Sequence, residues 1–236
     1  MDRRHLVFGS VVCGALLLGA CAGGQKGPEM AEAPKIEDSW LARVPAQDLG
    51  NVEQARTERR MAQDEVNRAQ VDVSDAENQL KVSESKVAAA DSQVKAAESQ
   101  VEAAKQTGDQ MRIQEAERNL EDRKLAAQAA EQRVEMEKAR VDAAKTRHQL
   151  AEARLGTRDV MVSRAEYETL RAQGDTRVAD IDPTRFDQAI ADRRAAEAKL
   201  EGQLAEKERS VIAAQSKYDD LQYQLQARQP QTSPAG

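Results

Sequence analysis

Val66, Val73, Leu80, Val87, Val94 and Val101 stand seven residues apart, and three residues after each come Ala69, Ala76, Ser83, Ala90, Ala97 and Ala104. A seven-residue repeat sustained this long specifies an α-helix with one apolar seam, wound with a partner into a left-handed supercoil. Strands alternate with period two, and disordered chains hold no period at all. One row is β-branched or Leu and the other is small, so each turn buries little; every methylene missing from the seam forfeits about 0.8 kcal/mol. Stability must then accumulate through length. Charged residues make up 32% and aromatic residues 3% of the 236-residue chain, so material for a large globular core is scarce. The expected fold class is all-α: a long coiled coil, as an elongated helical hairpin or a three-helix bundle.

The frame slips after Lys105. Continuing from Val101 would place Gly108 in the seam, but the next row is Ile113, Leu120, Ala127, Val134 and Val141, with His148 and Leu155 following. Thr107-Gly108-Asp109 can end one helix and cap the next. Alternatively it is a skip within one long helix, where the glycine costs about 1 kcal/mol. With no proline or longer polar loop between the halves, one helix over 51–156 is the expected form, and a break at 107–109 is the alternative.

A second boundary falls at Leu155-Gly156-Thr157-Arg158-Asp159, followed by extended Val160 to Val162 and by Ser163-Arg164-Ala165-Glu166, which has the form of a capping box. This predicts a connector over 157–182 holding a short helix from Arg164 to Gln173 that stops at Gly174. Asp182-Pro183 then opens a second long helix over 183–228. Its rows are Ile190, Glu197, Leu204, Val211, Tyr218 and Leu225, interleaved with Phe186, Arg193, Leu200, Lys207, Ala214 and Leu221. The segments 109–156 and 183–228 are similar in length and can lie antiparallel. Without a turn at Gly108, the seam of Val66, Val73, Leu80, Val87, Val94 and Val101 must find its partner in another copy or another protein. Those six residues are therefore candidate partner-binding positions.

The N-terminus is of another kind. Met1-Asp2-Arg3-Arg4-His5 precedes the uncharged stretch Leu6 to Ala20, the layout of a secretory signal, and the stretch falls short of the about 20 residues a membrane span needs. Leu18-Gly19-Ala20-Cys21 closes it and resembles the lipobox of bacterial lipoproteins. That resemblance implies cleavage after residue 20, a diacylglycerol and an N-acyl chain on Cys21, and no other cofactor. Several chains anchor stably where one does not. Cys13 leaves with the signal, and Ala22, where an aspartate would commonly retain the protein at the inner membrane, points to the periplasmic face of the outer membrane. In a host with one membrane the address becomes the outer face of the cytoplasmic membrane. Residues 21–50, with Pro28, Pro34 and Pro45, read as a flexible tether. Trp40 either rests at the membrane interface or packs on the helices. The tail 229–236 is broken by Pro230 and Pro234, reads as disordered, and lacks the terminal lysine by which murein lipoprotein joins peptidoglycan.

Leu155-Gly156 together with Ser163-Arg164-Ala165-Glu166-Tyr167 resembles the tip of the α-helical hairpin in periplasmic adaptor proteins of efflux and secretion systems. The resemblance implies a docking tip near Arg147, Leu155 and Ser163, facing an outer-membrane duct. It covers the hairpin alone: Gly174 to Pro183 interrupts the descending helix, and the flanking β-rich regions of a complete adaptor are missing.

Catalytic chemistry finds little footing in these residues. His5 leaves with the signal and His148 lies in a seam row, so no histidine cluster offers an acid-base pair or a metal. Glu131, Glu135, Lys138 and Arg140 alternate in sign as a solvated helix face does. No phosphate loop or nucleophile elbow occurs. With a net charge of -6 and basic runs interrupted by acids, as in Arg56-Thr57-Glu58-Arg59-Arg60, nucleic-acid binding is not expected. Nor is a small-molecule substrate. The reading is a lipid-anchored envelope scaffold or spacer acting through self-association or another envelope protein; the alternative is an accessory part of an export channel.

Overall fold

A computed structural model describes residues 32–228, all helix and connecting segments with no strand among them. The predicted signal peptide over 1–20, Cys21 and the tail over 229–236 lie outside the described residues. After a one-turn helix α1 (Asp38–Leu41) and a 3-10 turn (Ala46–Asp48) come three long helices, α2 (Gly50–Thr107), α3 (Gln110–Ala172) and α4 (Thr184–Arg228). A 3-10 turn over Thr176–Val178 lies between the last two.

The chain turns at Gly108, so the single helix expected over 51–156 is corrected. Gly108 takes a left-handed φ of 70°, a conformation that costs a side-chain-bearing residue roughly 1–2 kcal/mol. Asp109 then caps α3, accepting from the backbone N–H of Met111 at 3.0 Å and of Arg112 at 3.4 Å. Two helices thus begin and end within a two-residue turn. At 1.5 Å per residue, α3 is about 95 Å long.

The connector expected over 157–182 is corrected in the same way. α3 passes through Gly156 and Ser163 without a break and ends near the predicted stop at Gly174, whose φ is 71°. Gly156 is a notch instead of a terminus: a methyl on its Cα would stand 2.5 Å from Nη1 of Arg193 on α4. The apparent capping box is also used otherwise. Ser163 Oγ donates to the Asp159 carbonyl one turn back, and Glu166 pairs with Arg56 of α2. The start of α4 follows expectation, with Asp182 accepting from Thr184 N–H at 2.9 Å and Thr184 Oγ1 at 2.8 Å. These bonds hold the Asp182 carboxyl below the usual carboxylate range.

α3 is central. It packs antiparallel on α2 along one flank and on α4 along the other, while α2 and α4 barely touch. Between these flanks α3 leaves Arg140, Arg147 and Arg154 exposed on one broad face and Glu131, Lys138 and Lys145 on the opposite one. The three helices therefore lie side by side as a layer. Every position in the Val66-to-Val101 and Ala69-to-Ala104 rows is buried or half-buried. The α4 rows behave alike except for Lys207, which is exposed and reaches Asp142 at 3.1 Å.

Candidate functional site

Among the described residues, the largest fully buried apolar side chains, Phe186, Leu170, Val52 and Val178, are concentrated at one end. Phe186, Tyr167, Leu170, Val178, Val160, Val52 and Leu41 form a single buried cluster where α2 begins, α3 ends and α4 begins. Tyr167 and Phe186 meet at a tilt of 36° with ring centroids 5.3 Å apart, and Phe186 is fully buried. We call this end the base and the turn at Gly108 the tip.

The flexible tether expected over 21–50 is corrected for its described part. Ala33, Ile36, Trp40, Val44 and Leu49 pack against the base cluster, so residues 32–49 form an arm strapped across it. Polar contacts hold the strap. Arg185 donates to the Glu32 carbonyl at 3.2 Å, Gln173 to Asp48 at 3.0 Å, and Arg56 joins Asp38 to Glu166. Arg177 lies over the Trp40 ring at 5.3 Å and donates to the Trp40 carbonyl, so the tryptophan packs on the helices.

Asp175 orients Arg177. Hydrogen bonds from the Arg177 side chain and then its backbone N–H bring the Asp175 carboxyl down to about 2. A carboxyl depressed on folding contributes stability above its unfolded value and loses it as pH falls through the folded one. The strap is therefore expected to loosen between about pH 4 and pH 2. Trp40 is the only tryptophan in the sequence, so its emission should shift to the red across that window, and Asp175→Asn should show the shifted emission at neutral pH. Emission that stays constant until the helical signal itself collapses would contradict this.

Along the layer, charge ladders flank the seams. Arg140, Arg147 and Arg154 reach Gln215, Glu208 and Glu201 of α4 at 3.0, 2.9 and 2.8 Å. The α3 partners rise by seven as the α4 partners fall by seven. On the α2 side, Glu77 meets Lys145 at 2.9 Å and, three heptads on, Glu98 meets Lys124 at 3.9 Å. The neighbouring Lys145 ammonium lowers the Glu77 carboxyl. Exposed pairs of this kind are screened by solvent and contribute little, so they serve alignment more than stability. Glu137 was not anticipated from the sequence: it is 1% exposed within the α3 interior, with Arg140 at 3.3 Å and Arg133 at 3.8 Å. Its spacing from Arg133 and Arg140, at four and three residues, is the signal that could have located it.

The six candidate partner-binding residues of α2 face α3 of the same chain. Leu155 and Ser163 are half-buried inside α3, away from either chain reversal, and Tyr167 lies in the base. They form no tip. The long reversal is at Thr107-Gly108-Asp109, and α4 stops short of it. Arg228 at the end of α4 pairs with Glu121 and Asp122 at 3.6 and 3.5 Å. The α2–α3 hairpin projects beyond that level by about 18 Å. Among the described residues no cluster of His, Cys, Asp or Glu could hold a metal ion, and no helix is long and apolar enough to cross a membrane.

No protein-family model, no curated protein and no solved structure matches this chain.

Proposed function

We propose that the protein is a lipid-anchored spacer of the bacterial cell envelope, held in the outer membrane through Cys21 and working by protein contacts. The observation that carries this reading is polarity. The arm leading back toward Cys21 is strapped to the base, and the tip lies at the far end of helices about 90 Å long. From Cys21 to the first described residue, Glu32, the chain can span at most about 40 Å. Anchor and tip therefore stand at opposite ends, and the tip reaches on the order of 100 Å from the bilayer.

Cys21→Ser tests the anchor. The variant is expected to lose incorporation of labelled palmitate and to move from the membrane fraction to the soluble periplasmic fraction, with its helical content unchanged. A variant that stays with the membrane and keeps the label would overturn the reading. The export-channel alternative is favoured by the projecting hairpin and would move the docking end from Leu155 and Ser163 to Thr107. Crosslinking from Thr107 that captures an outer-membrane duct would support it over the spacer.

A further inference from the structure

The arm over 32–49 covers the base but supplies little of it. Of the nine buried residues of the base cluster, Leu41 alone belongs to the arm; the other eight stand on α2, α3, α4 and the turn between the last two. Ala33, Ile36, Trp40, Val44 and Leu49 lie only half-buried against it. Regular structure inside the arm amounts to one four-residue helix and one 3-10 turn. A segment with so few buried contacts and so little hydrogen bonding of its own opens locally, at a free energy below that of the helices it covers.

The polar contacts of the arm share a second property: breaking them strands no buried charge. Arg56 Nη2 donates to Asp38 of the arm and also to Glu166 of α3, so the buried carboxylate keeps its partner when Asp38 moves away. Arg177 lies over Trp40 and is held separately by Asp175. Arg185 and Gln173, which bond Glu32 and Asp48, are exposed and pass to water. An uncompensated buried charge is the large cost in breaking an ion pair, and departure of the arm avoids it.

The contacts are also laid crosswise. Arg185 stands in the first turn of α4, Gln173 follows the last residue of α3, and Arg56 is about 9 Å into α2, so the arm crosses the ends of all three helices before it enters α2 at Gly50. A pull on its N-terminal end along the helices lifts these contacts one after another. The same pull loads the α2–α3 seam along its length, where every turn shares it. We propose that the arm is a length of tether held folded: tension between anchor and tip peels residues 32–49 from the base while α2, α3 and α4 stay packed, and slack lets the arm seat again. The eighteen residues of the arm extend to about 60 Å, against about 20 Å across two helix spacings when seated, so release lengthens the link by about 40 Å. A rod of fixed length then serves an envelope of varying width, and in assigning the load to the anchor the inference rests on the spacer reading.

The test stretches single molecules of the chain from residue 21 to 236 between handles on Cys21 and on Thr107→Cys at the tip. A reversible first step of about 40 Å is expected before the helices come apart. Trp40→Ala combined with Leu41→Ala should lower the force of that step at least several-fold and leave the later event unchanged, and the later event shows that the variant is folded. A single rupture in which arm and helices fail together, or a first step indifferent to the double variant, would overturn the proposal. Hydrogen exchange on the unsubstituted chain gives a second readout. The bonded amides of Trp40, Val44 and Asp48 should exchange at least about tenfold faster than those of Tyr167 and Leu170, through an opening that leaves the helices protected. Exchange of both groups through one common opening would also overturn it. The handles stand in for the membrane, so absence of the first step counts against the arm alone, whereas Cys21→Ser and palmitate labelling report the anchor alone.

Discussion

Phe186→Ala is expected to lower the unfolding free energy by about 3–5 kcal/mol, the range for removing a fully buried aromatic side chain. The size follows from where large residues occur. Along the α2 seam the packing side chains are mostly Val and Ala, and neighbouring turns can absorb a lost methyl. At the base, Phe186 is fully buried in the cluster formed by the ends of α2 and α3 and the strapped arm, with the Tyr167 ring tilted against it. Truncation opens a cavity that rigid helix ends cannot close. Urea unfolding followed by circular dichroism should show the loss, and Trp40 emission should shift in the folded variant. A loss below about 1 kcal/mol would mean that the seams hold the base together, contrary to this account.

Arg56→Ala should cost about 2–3 kcal/mol near neutral pH through the charge it strands. Glu166 keeps only 6% of its side chain exposed and accepts from Arg56 at 2.7 Å. Burial pushes its carboxyl above the usual range, and the Arg56 hydrogen bond and charge pull it back. Because Arg56 is about a third exposed, the pair is partly screened, and the cost lies below that of a fully buried pair. Without Arg56 the folded carboxyl rises further. A group raised on folding contributes stability below its unfolded value and loses it as pH rises through the folded one. The deficit of the variant should therefore be larger at pH 8 than at pH 5, and Glu166→Gln in the same chain should recover much of it at pH 8. Equal deficits at both values would argue against a stranded carboxylate.

The seams were legible because heptad spacing is local information. The rows from Val66 to Ala104 and from Phe186 to Leu225 lie along the buried sides that the sequence implies. Capping chemistry was legible at Asp182, whose partner Thr184 is two residues away. Gly156 and Ser163-Arg164-Ala165-Glu166 were misread for the opposite reason. The glycine answers to Arg193 on another helix and the glutamate to Arg56, which is 110 positions earlier. Gly108 was read as a skip because no proline or longer polar loop separates the halves, and the roughly 1 kcal/mol a glycine costs inside a helix is too small to decide for a turn. What decided it was the pairing of α2 with α3, a tertiary term. The arm over 32–49 looked like a tether because its prolines break any period. Its anchoring side chains, Trp40 and Leu41, are few, and their binding site is assembled only when three helices meet.

The side-by-side placement of α2, α3 and α4 also sets how the molecule yields to force. Resistance to bending grows with the square of the distance of material from the bending axis. A body three helices wide and one helix thick is therefore compliant when pressed on its broad faces and stiff when pressed on its edges. It behaves as a ruler does, and a load along it would flex it in one plane while its length stays fixed.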